Sequence, residues 1–217
     1  MKLPNIFDSR KKPINLSYQG IKHYAGIRYA NPNLYDISKI LSMSENWIKG
    51  QIDFEKKSSK TSLSKKDAEY FTSIENLREV MIDTNKDDNI ARIDTLKFIS
   101  NGFPMMSDLV ESIANTFRFL SMDIEQSGNF IYPPNGYMNW HTNHKRPGIR
   151  IYTVYSENGD SEFKYSFGDD IKVIKEKKGW NLNIFRVEAP PVKIWHCVNA
   201  GSGYRVSYGF RIDDRGM

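Results

Sequence analysis

The sequence predicts an α+β protein: a carboxyl-terminal jelly roll supported by amino-terminal helices and an extended arm. Three observations carry this expectation. From Gly128 onward, apolar and polar residues alternate with period two in about eight short segments, divided by turn residues such as "PPNG", "KRPG", "ENGD" and "GSG"; eight short strands with tight turns is the jelly-roll count. Upstream, two stretches carry apolar residues at helical spacing instead. Aromatic residues make up 13% of the 217, with twelve Tyr and twelve Phe, a bias toward β structure.

A chain of this length can bury a sizeable core, and one globular unit with appendages is expected. Apolar residues at 39% and charged residues at 26% place it among globular, slightly polar proteins. The 31 basic residues stand against 26 acidic ones, a net +5, so most positive charge can be balanced locally. Nucleic-acid binding is permitted by that balance but not indicated. Cys197 is the only cysteine, which excludes an intramolecular disulfide and any cysteine-rich zinc site. The start "MKLPNIFDSRKK" has no apolar signal segment, and no stretch approaches the length of a membrane span. A cytoplasmic protein with no membrane partner is the expectation.

Residues 1–45 read as an arm. Pro4, Pro13 and Pro32 break any long helix, and the isolated Tyr18, Tyr24, Tyr29 and Tyr35 point to packing on the body. Such an arm also offers a contact to a larger protein assembly. Residues 46–127 read as a helical support region. Within it "EKKSSKTSLSKKD", Glu55 to Asp67, reads as a solvated loop. Ser64 opens a helix, with Asp67 at capping-box spacing and Ala68, Phe71, Ile74, Leu77 and Met81 as one apolar stripe. A second helix is predicted from about Pro104 to Leu120, with Leu109, Ile113, Phe117 and Leu120 on one face. Between them "DTNKDDNIARID", Asp83 to Asp94, resembles a calcium-binding EF-hand loop. Asp88 stands where that loop needs Gly for its sharp turn, and no partner hand is visible, so calcium is not assigned to it.

Residues 128–217 form the expected jelly-roll core. Strands are predicted near Asn129–Tyr132, Tyr137–Thr142, Ile149–Tyr155, Glu162–Ser166, Ile171–Ile174, Leu182–Val187, Val192–Cys197 and Tyr204–Ile212. In the last of these, Arg205, Ser207, Gly209 and Arg211 share one parity, while Tyr204, Val206, Tyr208, Phe210 and Ile212 share the other. A cationic face with a hydroxyl and a gap is either solvent-exposed or turned into the barrel mouth, where it would receive an anion. Nine residues upstream, His196 ends the apolar run "VKIWHCV". A lone histidine there is ordinarily a hydrogen-bonded core residue. The ordered series is what points to chemistry: His141 and Asn143 open it, His196 follows, and Arg205 with Ser207 ends it.

This series resembles the Fe(II)- and 2-oxoglutarate-dependent oxygenases of the double-stranded β-helix class, which use H-x-D/E, a distant His and then R-x-S or a related pair. The resemblance covers about Asn129 to Ile212. Tyr132, in "IYPPNG", falls where many members have an oxoglutarate-binding Tyr, and the R-x5-R spacing from Arg205 to Arg211 resembles the alkylated-base demethylases in particular. The carboxyl-terminal pattern also looks like oxygenase-like proteins of bacteriophages. The resemblance implies Fe(II) held by His141, Asn143 and His196, with 2-oxoglutarate and O2 as cosubstrates. It implies that Tyr132, Arg205 and Ser207 hold oxoglutarate, whose distal carboxylate needs a fixed cation such as a planar Arg fork. Two imidazoles and one oxygen ligand leave three adjacent positions open on the metal.

Asn143 departs from the family, standing where Asp or Glu is expected. An amide oxygen can ligate but is neutral, so the site loses one negative charge opposite a divalent cation. His144 does not replace it while the strand continues, because its parity puts it on the other face. Asp160 and Glu162 are further carboxylates, with nothing in the sequence to place them at the metal. Arg150 and Tyr152 share a parity on "IRIYTVY" and face cosubstrate or substrate if that face is inward; a half-buried strand shows the same alternation. Trp140 and Trp195 flank the two histidines and pack against the barrel or wall its pocket. His23 carries no signal. The function expected is a dioxygenase hydroxylating a substrate the sequence does not name. The alternative is a catalytically inactive jelly roll serving as a structural or binding protein, for example in a phage assembly, which would place it in the virion. A metal-only cupin is disfavoured because the extra His and Glu ligands are missing.

Overall fold

The computed structural model describes residues 14–17, 39–58, 63–82, 97–98, 108, 124–167, 170–187 and 193–212. The predicted helix around 104–120, apart from helical Asp108, lies outside the described residues, as do the EF-hand-like loop 83–94, His23 and the four arm tyrosines.

Among the described residues, three helices lie between the first two strands of the sandwich. Helix α1 (Glu45–Ser58) buries Ile48 and Ile52, one turn apart on one face, each contributing roughly 2 kcal/mol of burial. Its last turn carries Lys56 and Lys57, favourable beside the carbonyl end of the dipole. Glu55–Ser58 are therefore helical, not loop. Helix α2 (Lys65–Phe71) begins as expected: the Ser64 hydroxyl accepts the Asp67 N–H at 3.3 Å. The single long helix expected from Ser64 is two, however. Thr72 bonds back to the Ala68 carbonyl at 2.8 Å, and the Ser73 hydroxyl accepts the Asn76 N–H at 3.2 Å, opening α3 (Ile74–Ile82). The break shifts the phase, so Leu77 and Val80 are buried while Met81 stands 51% exposed.

The strands form two antiparallel sheets. One runs β1-β8-β5-β10-β3-β2 and the other β4-β9-β6-β7, with β1 Ile14–Ser17, β2 Lys97–Phe98, β3 Ile124–Tyr132, β4 Tyr137–His141, β5 Gly148–Ser156, β6 Glu162–Phe167, β7 Asp170–Lys175, β8 Gly179–Val187, β9 His196–Asn199 and β10 Arg205–Ile212. Consecutive strands from β3 to β10 alternate between the sheets except across the β6–β7 hairpin. That order makes the fold an α+β jelly roll, its two sheets being the halves of a double-stranded β-helix. All eight predicted strands are present. The seventh is displaced: residues 193–195 are not strand, and pairing begins at His196. The two edge strands β1 and β2 had no counterpart in the sequence reading.

Alternation sets what each face meets. Phe163, Tyr165, Phe185, Val187 and Val198 fill the space between the sheets together with Tyr132. The opposite face of the smaller sheet is covered by α2 and α3: Trp140, Trp195 and Cys197 pack with Leu77 and Val80. There the Trp140 Nε1–H donates to the Ser73 carbonyl at 2.8 Å, and Phe71 stacks on Tyr137 at 5.1 Å. Where β5 ends and β10 begins, Lys56 of α1 pairs with Glu157 and stands 5.9 Å from the Tyr204 ring. Both faces of β10 are buried along its whole length.

Candidate metal centre and anion pocket

The site is built on the register of β4 with β9. His141 pairs directly with His196, after an irregularity between Met138 and His141. That bulge matters: Met138 and His141, three residues apart, both line the cleft between the sheets, whereas strict alternation would turn His141 outward. Trp140 goes outward in its place. The two imidazole centroids lie 4.1 Å apart. Strand β4 stops at His141, and Asn143 takes a left-handed conformation (φ 55°), which Asn tolerates better than most residues. Its carbonyl accepts the Arg146 N–H at 3.0 Å, closing the turn. That turn returns the exposed Asn143 side chain to the histidines, with Nδ2 3.1 Å from His196 Nε2. His144 leaves the pair and contacts the Thr142 hydroxyl at 2.5 Å.

Hydrogen bonds assign the tautomers. His141 Nδ1 lies 2.9 Å from the Asn139 carbonyl and His196 Nδ1 lies 3.2 Å from the Ile194 carbonyl. A carbonyl only accepts, so each Nδ1 carries the proton and each Nε2 keeps its lone pair. The Asn143 N–H then donates to His196 Nε2. Burial holds the His141 pKa below the usual histidine range, and Arg150 adds to the effect. His196 is held well below it, by burial first and then by the neighbouring His141; Phe163 and Phe185 rings enclose it at 5.8 and 5.4 Å. Both rings are thus kept neutral, the form that ligates metals.

The cleft is walled by Phe130, Met138, Val198, Tyr132, Tyr152, Arg205, Ser207 and the small residues Ser127, Gly128 and Gly209 beside the two histidines. Gly209 keeps it open, because a Cβ there would meet Ser127 Oγ and the Tyr152 ring at 2.9 and 3.0 Å. Tyr132, Arg205 and Ser207 do converge on one wall, with the Arg205 guanidinium 5.3 Å over the Tyr132 ring. Burial raises the pKa of Tyr132 and Tyr152 above the ordinary phenol value, so both remain protonated.

Arg205 carries a counter-ion from within the protein. Its Nε and Nη2 each donate to Glu176 at 2.8 Å, with side chains 1% and 0% exposed. Burial pushes the Glu176 pKa upward, but the Arg205 charge and hydrogen bonds from Arg205, Ser161 and Asn183 outweigh it and hold the carboxyl below its usual range. Sequence reasoning missed Glu176; the only available signal was that a buried arginine demands a counter-ion. Arg150 and Arg211 share the inner face but do not line the cleft. Arg211 donates to Glu125 at 2.8 Å and to the Pro147 carbonyl at 2.9 Å. Arg150 bonds the Arg146 carbonyl, and its buried Nε has no partner among the described residues. Neither spare carboxylate substitutes for Asn143. Asp160 accepts the Ser202 N–H at 2.9 Å, and Glu162 pairs with Asn199 across the ladder, three residues beyond His196. Among the described residues no group of three His, Cys, Asp or Glu is placed to hold a metal ion, and no helix is long and apolar enough to cross a membrane.

No family model matches the sequence, and no curated protein matches it. Among solved structures, the chain is similar to a Pseudomonas putida prolyl-4-hydroxylase at 15% identity and a TM-score of 0.40, covering 67% of this chain and 90% of that one. It is similar to a cupin domain from Bordetella pertussis Tohama I at 14% identity and a TM-score of 0.26, covering 42% and 91%. A carbohydrate-binding module from the Cellvibrio mixtus lichenase 5A, in complex with cellotriose, matches at 16% identity and a TM-score of 0.26, covering 42% and 86%. The jelly-roll assignment rests on the strand order, not on these likenesses.

Proposed function

We propose that this protein is an Fe(II)- and 2-oxoglutarate-dependent dioxygenase that hydroxylates an unactivated carbon. The observation that supports this most is the histidine pair: two neutral imidazoles 4.1 Å apart, each tied through Nδ1 to a carbonyl, with Nε2 left for a shared ion. Such backbone tethering is how ligating histidines are oriented. The residues fit the metal with one adjustment. Asn143 presents an N–H to His196, and rotating its amide exchanges Nδ2 for Oδ1, the ligating atom. His141, His196 and Asn143 would then hold Fe(II), with a neutral oxygen donor weaker than a carboxylate. When bound, iron with 2-oxoglutarate and O2 supplies the oxidant for C–H hydroxylation, with succinate and CO2 as coproducts.

The chain's own residues do the rest. A guanidinium has two forked edges; Glu176 takes the Nε/Nη2 edge, and the Nη1/Nη2 edge with the Ser207 hydroxyl receives the distal end of the cosubstrate. Phe130, Met138 and Val198 exclude bulk water from the cleft. The test is succinate formation from 2-oxoglutarate with Fe(II) and O2. Slow turnover is expected in the wild type, none in His196→Ala, and faster turnover in Asn143→Asp, which restores the negative charge. A second reading, an inactive jelly-roll binding or structural module, is favoured by the neutral Asn143 and the closed Arg205–Glu176 pair. It takes over if neither wild type nor Asn143→Asp binds iron or makes succinate.

A further inference from the structure

Glu176 has no step in the proposed reaction, yet it fixes what the polar end of the cleft can recognise. It is fully buried in the turn between β7 and β8. Its Oε2 accepts from Arg205 Nε at 2.8 Å and Ser161 Oγ at 2.7 Å. Its Oε1 accepts from Arg205 Nη2 at 2.8 Å and Asn183 Nδ2 at 2.9 Å. Its backbone N–H is tied to the Ser161 carbonyl at 2.9 Å, and the Ser161 hydroxyl, spent as a donor on Glu176, accepts from Ser156 at 2.8 Å. The carboxylate is thus saturated and immobile, and it neutralises the guanidinium at hydrogen-bond contact.

A group arriving at the remaining Arg205 edge meets donors held in place but little net positive charge. Ser207 and the Tyr132 ring, which share that wall, add no charge. A second carboxylate would leave the buried cluster of Arg205, Glu176 and ligand with a net negative charge, which low-dielectric surroundings penalise. A neutral carbonyl makes the same hydrogen bonds without that penalty.

We propose, resting on the oxygenase reading, that Glu176 is a specificity-determining residue: by neutralising Arg205 it makes the cleft take a 2-oxo acid whose distal group is a neutral carbonyl acceptor nearly as well as one ending in a carboxylate. The test is calorimetric titration of the full chain, with Mn(II) present, against 2-oxoglutarate, its 5-methyl ester and 2-oxopentanoate. The ester keeps the acceptor and loses the charge; 2-oxopentanoate loses both. Acid and ester should bind within about tenfold of each other, and 2-oxopentanoate more than about tenfold weaker than either, the difference one hydrogen-bonded group makes. In Glu176→Gln, which releases the arginine's charge, preference for the acid should rise by about tenfold or more. A wild-type preference for the acid above about 100-fold overturns the inference, as does an unchanged ratio in Glu176→Gln. If that variant does not fold, the wild-type ratio decides alone. Failure of all three compounds to bind wild type removes the oxygenase reading and this inference with it; tight binding of the acid alone removes only the inference.

Discussion

Replacing Glu176 with alanine strips the counter-ion from a guanidinium that is 1% exposed. Solvent screening does not soften the loss at that depth, and removing one partner of a buried pair costs about 3–5 kcal/mol. Ser161 and Asn183 lose an acceptor at the same stroke. At about 2–4 °C per kcal/mol for a chain of this size, the melting temperature should fall by roughly 6–20 °C. Arg205→Met leaves the carboxylate unpaired and should cost a similar amount. The double variant Glu176→Ala with Arg205→Met removes both charges together and should lose far less than the sum, a coupling of at least about 2 kcal/mol. The assay is thermal and urea unfolding of the four proteins, followed by tryptophan fluorescence and circular dichroism. The pair also has a pH signature. The Glu176 pKa is depressed on folding, so its contribution is present above the ordinary carboxylate range and is lost as pH falls through the lowered folded value. A Glu176→Ala protein melting within about 2 °C of wild type, with additive single effects, would refute a buried ion pair at Arg205.

The histidine pair predicts acid sensitivity of a different origin. Both rings titrate below the ordinary histidine value in the fold, so between that value and the folded ones the unfolded chain binds more protons. Metal-free stability should fall on acidification, by up to about 1.4 kcal/mol per pH unit per ring. A His141→Gln, His196→Gln protein in chelator should show a flatter profile, and an equal slope would contradict neutral buried rings. Gly148 has φ +132°, and a Cβ there would lie 2.4 Å from the Ile212 carbonyl oxygen. Gly148→Ala should destabilise by about 2 kcal/mol or more, read as a shift in the urea midpoint; no shift would mean that β5 and β10 part at that end.

Period-two alternation made the eight core strands legible, because each has one face against the inter-sheet core. The histidines and Asn143 were legible only as an ordered series. Which way His141 points was not: the irregularity at Asn139–Trp140 reverses local parity, and nothing in "YMNWH" encodes a bulge. The partner of Arg205 was hidden for a related reason. Glu176 lies in "KEKKG" among lysines that read as a solvated turn, and only the register of β5 with β8 and β10 brings it under the guanidinium. Helix α1 has a local signal, Ile48 and Ile52 one turn apart with Glu45 and Lys49 at i,i+4. The break at Thr72–Ser73 was also readable, since two adjacent hydroxyls compete for backbone groups. Strand β1 was not, because its pairing with β8 is a contact across more than half the chain.

The most direct measurement of the proposed chemistry is anaerobic Fe(II) titration by calorimetry on wild type, His141→Ala and His196→Ala. One equivalent should bind to wild type, and each single substitution should abolish that binding, because two imidazoles and a neutral amide leave no redundancy in the donor set. Iron binding that survives loss of either histidine, or a wild type that takes up no iron at all, would contradict a metal centre between β4 and β9.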